Sequence, residues 1–366
     1  MKFINESEYN HHQVEKTGVL LTNLGTPDSC DTSGVRRYLR EFLWDPRVVE
    51  VPRPVWWMVL NFFILTTRPS RSAKAYQKVW TEEGSPLLTI TQRQAERLQS
   101  ALEQSYPDQF EVVMAMRYGN PSIVDGLEKL RKAGVRKVLV FPLYPQYSAT
   151  TTASTFDAVT TELQHWRWIP ELRFINHYHD FNGYISSLEQ SVRDYWQEHG
   201  KADKLIMSFH GIPKDYLLKG DPYFCECQKT ARLLADRLEL SESQWQITFQ
   251  SRLGAKEWLK PYTDKTLESL GKQGLKSVQV ICPGFSADCL ETLEEIAMEN
   301  RDTFLDAGGE SYQYIPCLNA KDQHIDMMHK LVEQHVQGWD INTPLEQRQS
   351  EAGMSSQNAI KLGAEK

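Results

Sequence analysis

The stretch LRKAGVRKVLVFP (130–142) is answered by LGKQGLKSVQVIC (270–282), and this pairing decides the fold. Each copy reads as the end of an amphipathic helix, a glycine stop at Gly134 or Gly274, and then an apolar strand. Outward from each copy, apolar β-branched runs of strand length alternate with helical periodicity, the pattern of successive βαβ units. Strands are expected near 18–24, 110–116, 136–143 and 171–177, and again near 203–209, 244–250, 277–283 and 311–317. The predicted architecture is α/β, with two similar doubly wound, Rossmann-like lobes, each holding a parallel four-stranded sheet. The lobes are expected at 17–190 and 200–336. Residues 341–366 turn polar, lose periodicity and read as a flexible tail. The interval 25–108 is too long for one crossover and must hold several helices.

At 366 residues the chain has room for two domains, each with its own core. A net charge of −7, with no basic stripe interleaved with aromatics, argues against a nucleic-acid partner. Residues 1–8 are polar and carry two acids, unlike a signal peptide. The six cysteines do not form a disulfide framework, and a reduced, cytoplasmic setting is expected. The longest apolar run, VWWMVLNFFIL (55–65), falls well short of the roughly 20 residues a membrane span needs. Flanked by Pro52, Pro54, Arg68 and Arg71, it suits either a buried helix or a lip, over about 51–71, against a greasy substrate or a bilayer surface.

The chemistry-bearing residues follow strands. SFHGIP (208–213) closes one apolar run and GFSADCLETLEE (284–295) follows another. Loops past the carboxyl ends of parallel strands gather in one crevice, so the two segments should face each other there. His210 is mostly neutral at pH 7 and can accept a proton or ligate a metal. Asp288, Glu291 and Glu295, at i, i+3 and i+7, share one face of a helix. Plainer readings stand beside these: a structural histidine, and a capping box spanning Asp288 and Glu291. His177-Tyr178-His179 sets two imidazoles on one face of a strand end. With only Asp180 as a neighbouring carboxylate, it is not read as a metal site. Cys225-x-Cys227 lacks a second pair at ligand spacing.

SFHGIP and ADCLETLEE (287–295) resemble the two signature motifs of the ferrochelatases, enzymes that insert ferrous iron into a porphyrin. The similarity runs in order through GVLLTNLGTPD (18–28), EGSPL (83–87), LYPQYS (143–148), QSRLG (250–254) and WLKPYTD (258–264), roughly residues 17 to 335. It implies a chelatase-like fold around a porphyrin cleft, and conversion of protoporphyrin IX and Fe²⁺ to protohaem, the last step of haem biosynthesis. It also implies roles. His210 matches the histidine at the metal-insertion site and Glu291 the carboxylate facing it. Asp288 and Glu295 match acids that relay metal or protons. Leu24, Tyr144 and Trp258 match macrocycle contacts, Arg68 and Arg71 basic residues near the propionates, and Arg117 with Tyr118 a porphyrin-side pair. Iron enters as substrate and no cofactor is required. Ala149 stands where animal members carry a cluster-binding cysteine, and no cysteine lies beyond 340, so no iron–sulfur cluster is expected. The resemblance allows only peripheral contact with the inner face of a membrane. Competing readings are a coproporphyrin-type ferrochelatase and a non-catalytic haem or porphyrin carrier. The greasy Trp56-Trp57 and Phe62-Phe63 pairs favour protoporphyrin, and retention of both His210 and Glu291 argues against a carrier.

Overall fold

A computed structural model of the chain describes residues 3–5, 12–252, 254 and 256–364. β1 (Lys16–Gly25), β2 (Phe110–Tyr118), β3 (Val135–Pro142) and β4 (Glu171–Phe174) pair in the order β2-β1-β3-β4. β5 (Lys204–His210), β6 (Trp245–Gln250), β7 (Ser277–Ile281) and β8 (Ser311–Ile315) repeat that order as β6-β5-β7-β8. All pairings within the two sheets are parallel. Strand order therefore reverses between β1 and β3, and between β5 and β7. Each reversal opens a crevice at the carboxyl ends of the strands.

The expected strands are present, but the expectation of two separate cores is corrected. Alternate side chains of β1 and β5 take opposite faces of their sheets. Val19 and Leu21 share a single buried cluster with Leu205, Met207 and Phe209, while Leu20 and Ile206 pack into separate outer clusters. The helices Pro86–Ser105, Asn182–His199, Tyr223–Arg237 and Asp322–His335 all contribute to the shared cluster. Each fully buried Leu or Phe there contributes roughly 1.5–3 kcal/mol, so neither lobe keeps its apolar surface covered without the other.

Between β1 and β2 lie the helix Thr32–Trp44, the run Arg53–Val79 and the helix Pro86–Ser105. Asp31 opens the first by accepting from the N–H groups of Ser33 and Gly34 at 2.6 and 2.8 Å, a side-chain cap on its first turn. The apolar segment is both buried helix and lip. Trp56, Leu60 and Leu65 pack with Val35, Leu39 and Leu43, whereas Trp57, Met58, Phe62 and Phe63 are exposed, Phe63 by 68%. The run changes pitch at Leu60–Ile64, an i→i+5 turn just ahead of Pro69, which cannot donate to the carbonyl of Leu65. No helix among the described residues is long and apolar enough to cross a membrane.

The flexible-tail expectation is corrected as well. Leu345–Lys361 is a helix, led in by Ile341, which is buried in the shared cluster. Arg348 fastens it by donating to the carbonyls of Glu15, Asp108 and Thr343. Its Glu, Gln, Ala and Lys residues favour helix intrinsically. Only Ser356 of the helix is fully buried, so no apolar stripe announced it.

Candidate active site

β5 ends at His210, which lies opposite Gln250 of β6, and the Gly211 N–H donates to the Gln250 carbonyl at 2.7 Å. A Cβ on Gly211 would stand 2.8 Å from that carbonyl oxygen and 3.2 Å from the Trp258 ring, so glycine is what lets the chain turn so closely there. The Gln250 side chain accepts from Ser208 Oγ at 2.8 Å and donates to the Glu291 carbonyl at 3.0 Å. One glutamine thus fixes the His210 strand end to the start of the acidic helix. The QSRLG segment (250–254) carries no role for it in the sequence. Its available signal was a polar residue closing an apolar strand at the crevice.

The His210 Nδ1 lies 2.6 Å from the Gly211 carbonyl. A carbonyl only accepts, so Nδ1 carries the proton and the neutral ring keeps its lone pair on Nε2. The half-buried ring tilts against Phe285 at 6.4 Å.

The acidic helix is not an α-helix: Glu291–Glu299 bonds i→i+5. Such turns hold more than four residues, and they recur at functional sites. Residues four apart then nearly overlie one another, so Glu291, Glu295 and Glu299 form a row. The charges of both neighbours oppose ionisation of Glu295. Glu294, off this row, pairs with Lys78 at 2.5 Å.

The capping and helix-face readings of Asp288 are corrected. Its carboxylate accepts from Thr292 Oγ1 at 3.1 Å, Tyr314 Oη at 2.6 Å and Asn319 Nδ2 at 2.7 Å, and the residue is 6% exposed. These bonds use it to hold the turn after β7. It forms no capping box: Leu290 is the N-cap and no side chain caps the helix. The α-helical i, i+3, i+7 reading fails because the helix begins after Asp288 and has a wider pitch.

Burial is the main force on Glu295 and pushes its pKa up to about 7, against the Ser251 hydroxyl and the Ser251 N–H at 2.8 Å, which favour the ionised form. Because the folded pKa lies above the unfolded one, this group's contribution is fully present below about pH 4.5. It is lost as pH rises through about 7. Glu295→Gln cannot ionise. Its melting temperature relative to wild type should therefore be higher at pH 8 than at pH 5. An equal difference at both pH values would contradict the buried, partly protonated carboxyl.

Glu291 is half-buried and acts electrostatically on Tyr38, Tyr76, Arg68 and Cys289. Burial lowers the Arg68 pKa and the Glu291 charge opposes that shift. Burial pushes the Cys289 thiol well up, and Glu291 adds to this by charge and by hydrogen bonding. Tyr144 is also partly buried and lies within electrostatic reach of Tyr38. Leu24 is partly buried at the end of β1, where Gly25 turns at φ +112° and a Cβ would meet the Tyr118 carbonyl at 1.8 Å. Leu24, Tyr38, Tyr76 and Leu290 belong to one apolar cluster, which joins the first crevice to the acidic helix.

Three matched residues are placed differently from expectation. Tyr118 has no exposure, and its hydroxyl donates to Asp45 at 2.8 Å, so it backs the cleft without lining it. Arg117 is spent on Asp45 at 2.6 Å and on the Ser154 hydroxyl and carbonyl at 2.7 and 2.9 Å. Arg71 is exposed and lies within electrostatic reach of Glu299 at the outer end of the row. Only Arg68 combines partial burial with proximity to Glu291.

Residues 16–336 match the family model described as Ferrochelatase. The chain is 58% identical over 344 residues to the ferrochelatase of Marinobacter nauticus, covering 93% of each chain. It is 56% identical over 367 residues to that of Thioalkalivibrio sulfidiphilus, covering all of both. Among solved structures, the cobalt complex of the sirohydrochlorin chelatase SirB from Bacillus subtilis subspecies spizizenii shares the fold. Its TM-score is 0.51 at 10% identity, covering 89% of this chain and 98% of that one. With the two repeated sheets and the His210 and Glu291 segments tied through Gln250, these matches establish that the chain belongs to the ferrochelatase family.

Proposed function

We propose that the chain inserts Fe²⁺ into protoporphyrin IX to form protohaem, with no resident cofactor. The observation that carries this reading is the 2.6 Å contact of His210 Nδ1 with the Gly211 carbonyl, which leaves Nε2 as the acceptor on a strand end tied to the start of the acid row. Insertion removes two pyrrole protons, strips water from Fe²⁺ and forms the metal–nitrogen bonds in their place. His210 Nε2 accepts the two ring protons one at a time, releasing the first to water before it takes the second. Glu291 supplies a hard oxygen ligand that passes iron on without the grip of a thiolate, while burial keeps Cys289 beside it in the thiol form. With a pKa near 7, Glu295 exchanges protons readily at neutral pH and links Glu291 to the exposed Glu299.

Protoporphyrin is favoured over coproporphyrin by the apolar lip, since four propionates would call for a more basic and open rim. Exposed Trp57, Phe62 and Phe63 suit the macrocycle periphery during entry and a peripheral seat on a bilayer surface. Changing Phe62 and Phe63 together to serine should raise the KM for protoporphyrin IX severalfold, with kcat within about twofold, the pattern of lost uniform binding. The same double variant should co-sediment less with anionic vesicles. If neither quantity changes, the lip has no part in substrate or membrane contact.

A further inference from the structure

His177 and His179 lie outside the site described above, in the loop and turn after β4, with their rings edge to face at 4.9 Å. The carboxylate that their sequence neighbourhood lacked comes from the other half of the chain. Glu226, in the first turn of Tyr223–Arg237, is 7% exposed. Its Oε1 lies 2.8 Å from His177 Nδ1 and its Oε2 lies 3.2 Å from His179 Nδ1. One ligand atom from each of the three residues lies within 4.8 Å of the others.

If both rings merely hydrogen-bonded to this carboxylate, the cluster would be explained without a metal. That accounts for His177 only. His179 is 5% exposed, and its Nδ1 makes no directed hydrogen bond although the carboxylate is close. The 3.2 Å contact lies off the hydrogen-bond direction, so the carboxylate satisfies this buried nitrogen by charge more than by a directed bond. A cation placed between the nitrogens and the oxygen would give the lone pair a directed partner. Neighbouring ligand atoms of a tetrahedral Zn²⁺, with bonds of about 2.0–2.1 Å, stand about 3.3 Å apart, within the 4.8 Å that bounds the three ligand atoms here. We infer that His177, His179 and Glu226 form a second metal site, separate from the substrate site, for a divalent transition ion of the Zn²⁺ or Fe²⁺ class.

Two imidazoles with one carboxylate select such ions over Ca²⁺ or Mg²⁺, which prefer all-oxygen shells. The surroundings are built to hold the ligands. The His179 carbonyl accepts from Thr230 at 2.8 Å, and the Tyr178 N–H donates to the Pro145 carbonyl at 2.9 Å. Glu226 Oε2 also accepts the Tyr147 N–H at 2.7 Å. An ion here would pin together the segment after β4, the Glu226 helix and the loop after β3 that carries Tyr144. Exposed His177 leaves a fourth coordination position open to water.

The test uses the full chain carrying His210→Ala and Glu291→Gln, which removes the substrate-metal ligands, and Zn²⁺ alone as probe. In competition with a chromophoric chelator, this background should bind one Zn²⁺ per chain, and the ion should raise its melting temperature. Adding His177→Ala, a change at an exposed ring, should weaken binding by at least about tenfold and abolish the thermal shift. Glu226→Gln, which keeps an acceptor for Tyr147, should do the same. A background chain that takes up no stoichiometric zinc, or zinc affinity unchanged by His177→Ala and Glu226→Gln, overturns the assignment.

Discussion

His210→Ala is expected to lower kcat for iron insertion by about 10²–10⁴-fold, the usual cost of removing a positioned base. Porphyrin affinity should stay within about tenfold, because the ring contributes one edge of the cleft while the apolar walls supply most of the binding. The fold should survive. The imidazole is half-buried, its Nδ1 bond runs to the adjacent Gly211, and the strand end is held by backbone and Gln250 contacts that alanine keeps. Anaerobic steady-state assays and quenching of porphyrin fluorescence measure the two quantities separately. A kcat within a factor of about ten of wild type would remove His210 from the proton-transfer role.

Glu291→Gln should also lower kcat by about 100-fold or more, through loss of the anionic oxygen that hands over iron. Stability should change by less than about 1 kcal/mol. The substitution is nearly isosteric. The Glu291 backbone carbonyl keeps its bond from Gln250, and the amide oxygen can still accept from the Cys289 thiol. One cost is foreseeable: Arg68, partly buried, loses the charge that offsets its desolvation. Thermal melting and activity per folded chain decide between the roles. A large fall in melting temperature with activity per folded molecule preserved would make Glu291 a structural residue.

The sheets were legible because each strand announces itself locally. Runs such as Val19 to Leu21 and Leu205 to Phe209 are apolar over strand length, and the glycine stops at Gly134 and Gly274 mark where helix gives way to strand. The site was legible where chemistry follows a strand end, as at His210. It was misread where pitch or partnership decided the outcome. Asp288 looked like a third acid on the helix. The i→i+5 bonding begins beyond it, and its lone pairs go to Thr292, Tyr314 and Asn319, the last two far along the chain. Tyr118 and Arg117 matched a motif, but Asp45, more than 70 residues earlier, draws both inward. The Glu226 carboxylate beside His177 and His179 could not be found from spacing, since it lies 47 positions beyond His179. The terminal helix escaped notice because propensity and a few polar anchors hold it, with no apolar stripe to reveal it.

The most direct test of the account is anaerobic turnover by the purified full chain, with Fe²⁺ and either protoporphyrin IX or coproporphyrin III, following haem absorbance. Many haems formed per chain and a higher kcat/KM for protoporphyrin IX are expected. Formation of no more than one haem per chain would make the protein a carrier, and a higher kcat/KM for coproporphyrin would contradict the substrate assigned to its apolar lip.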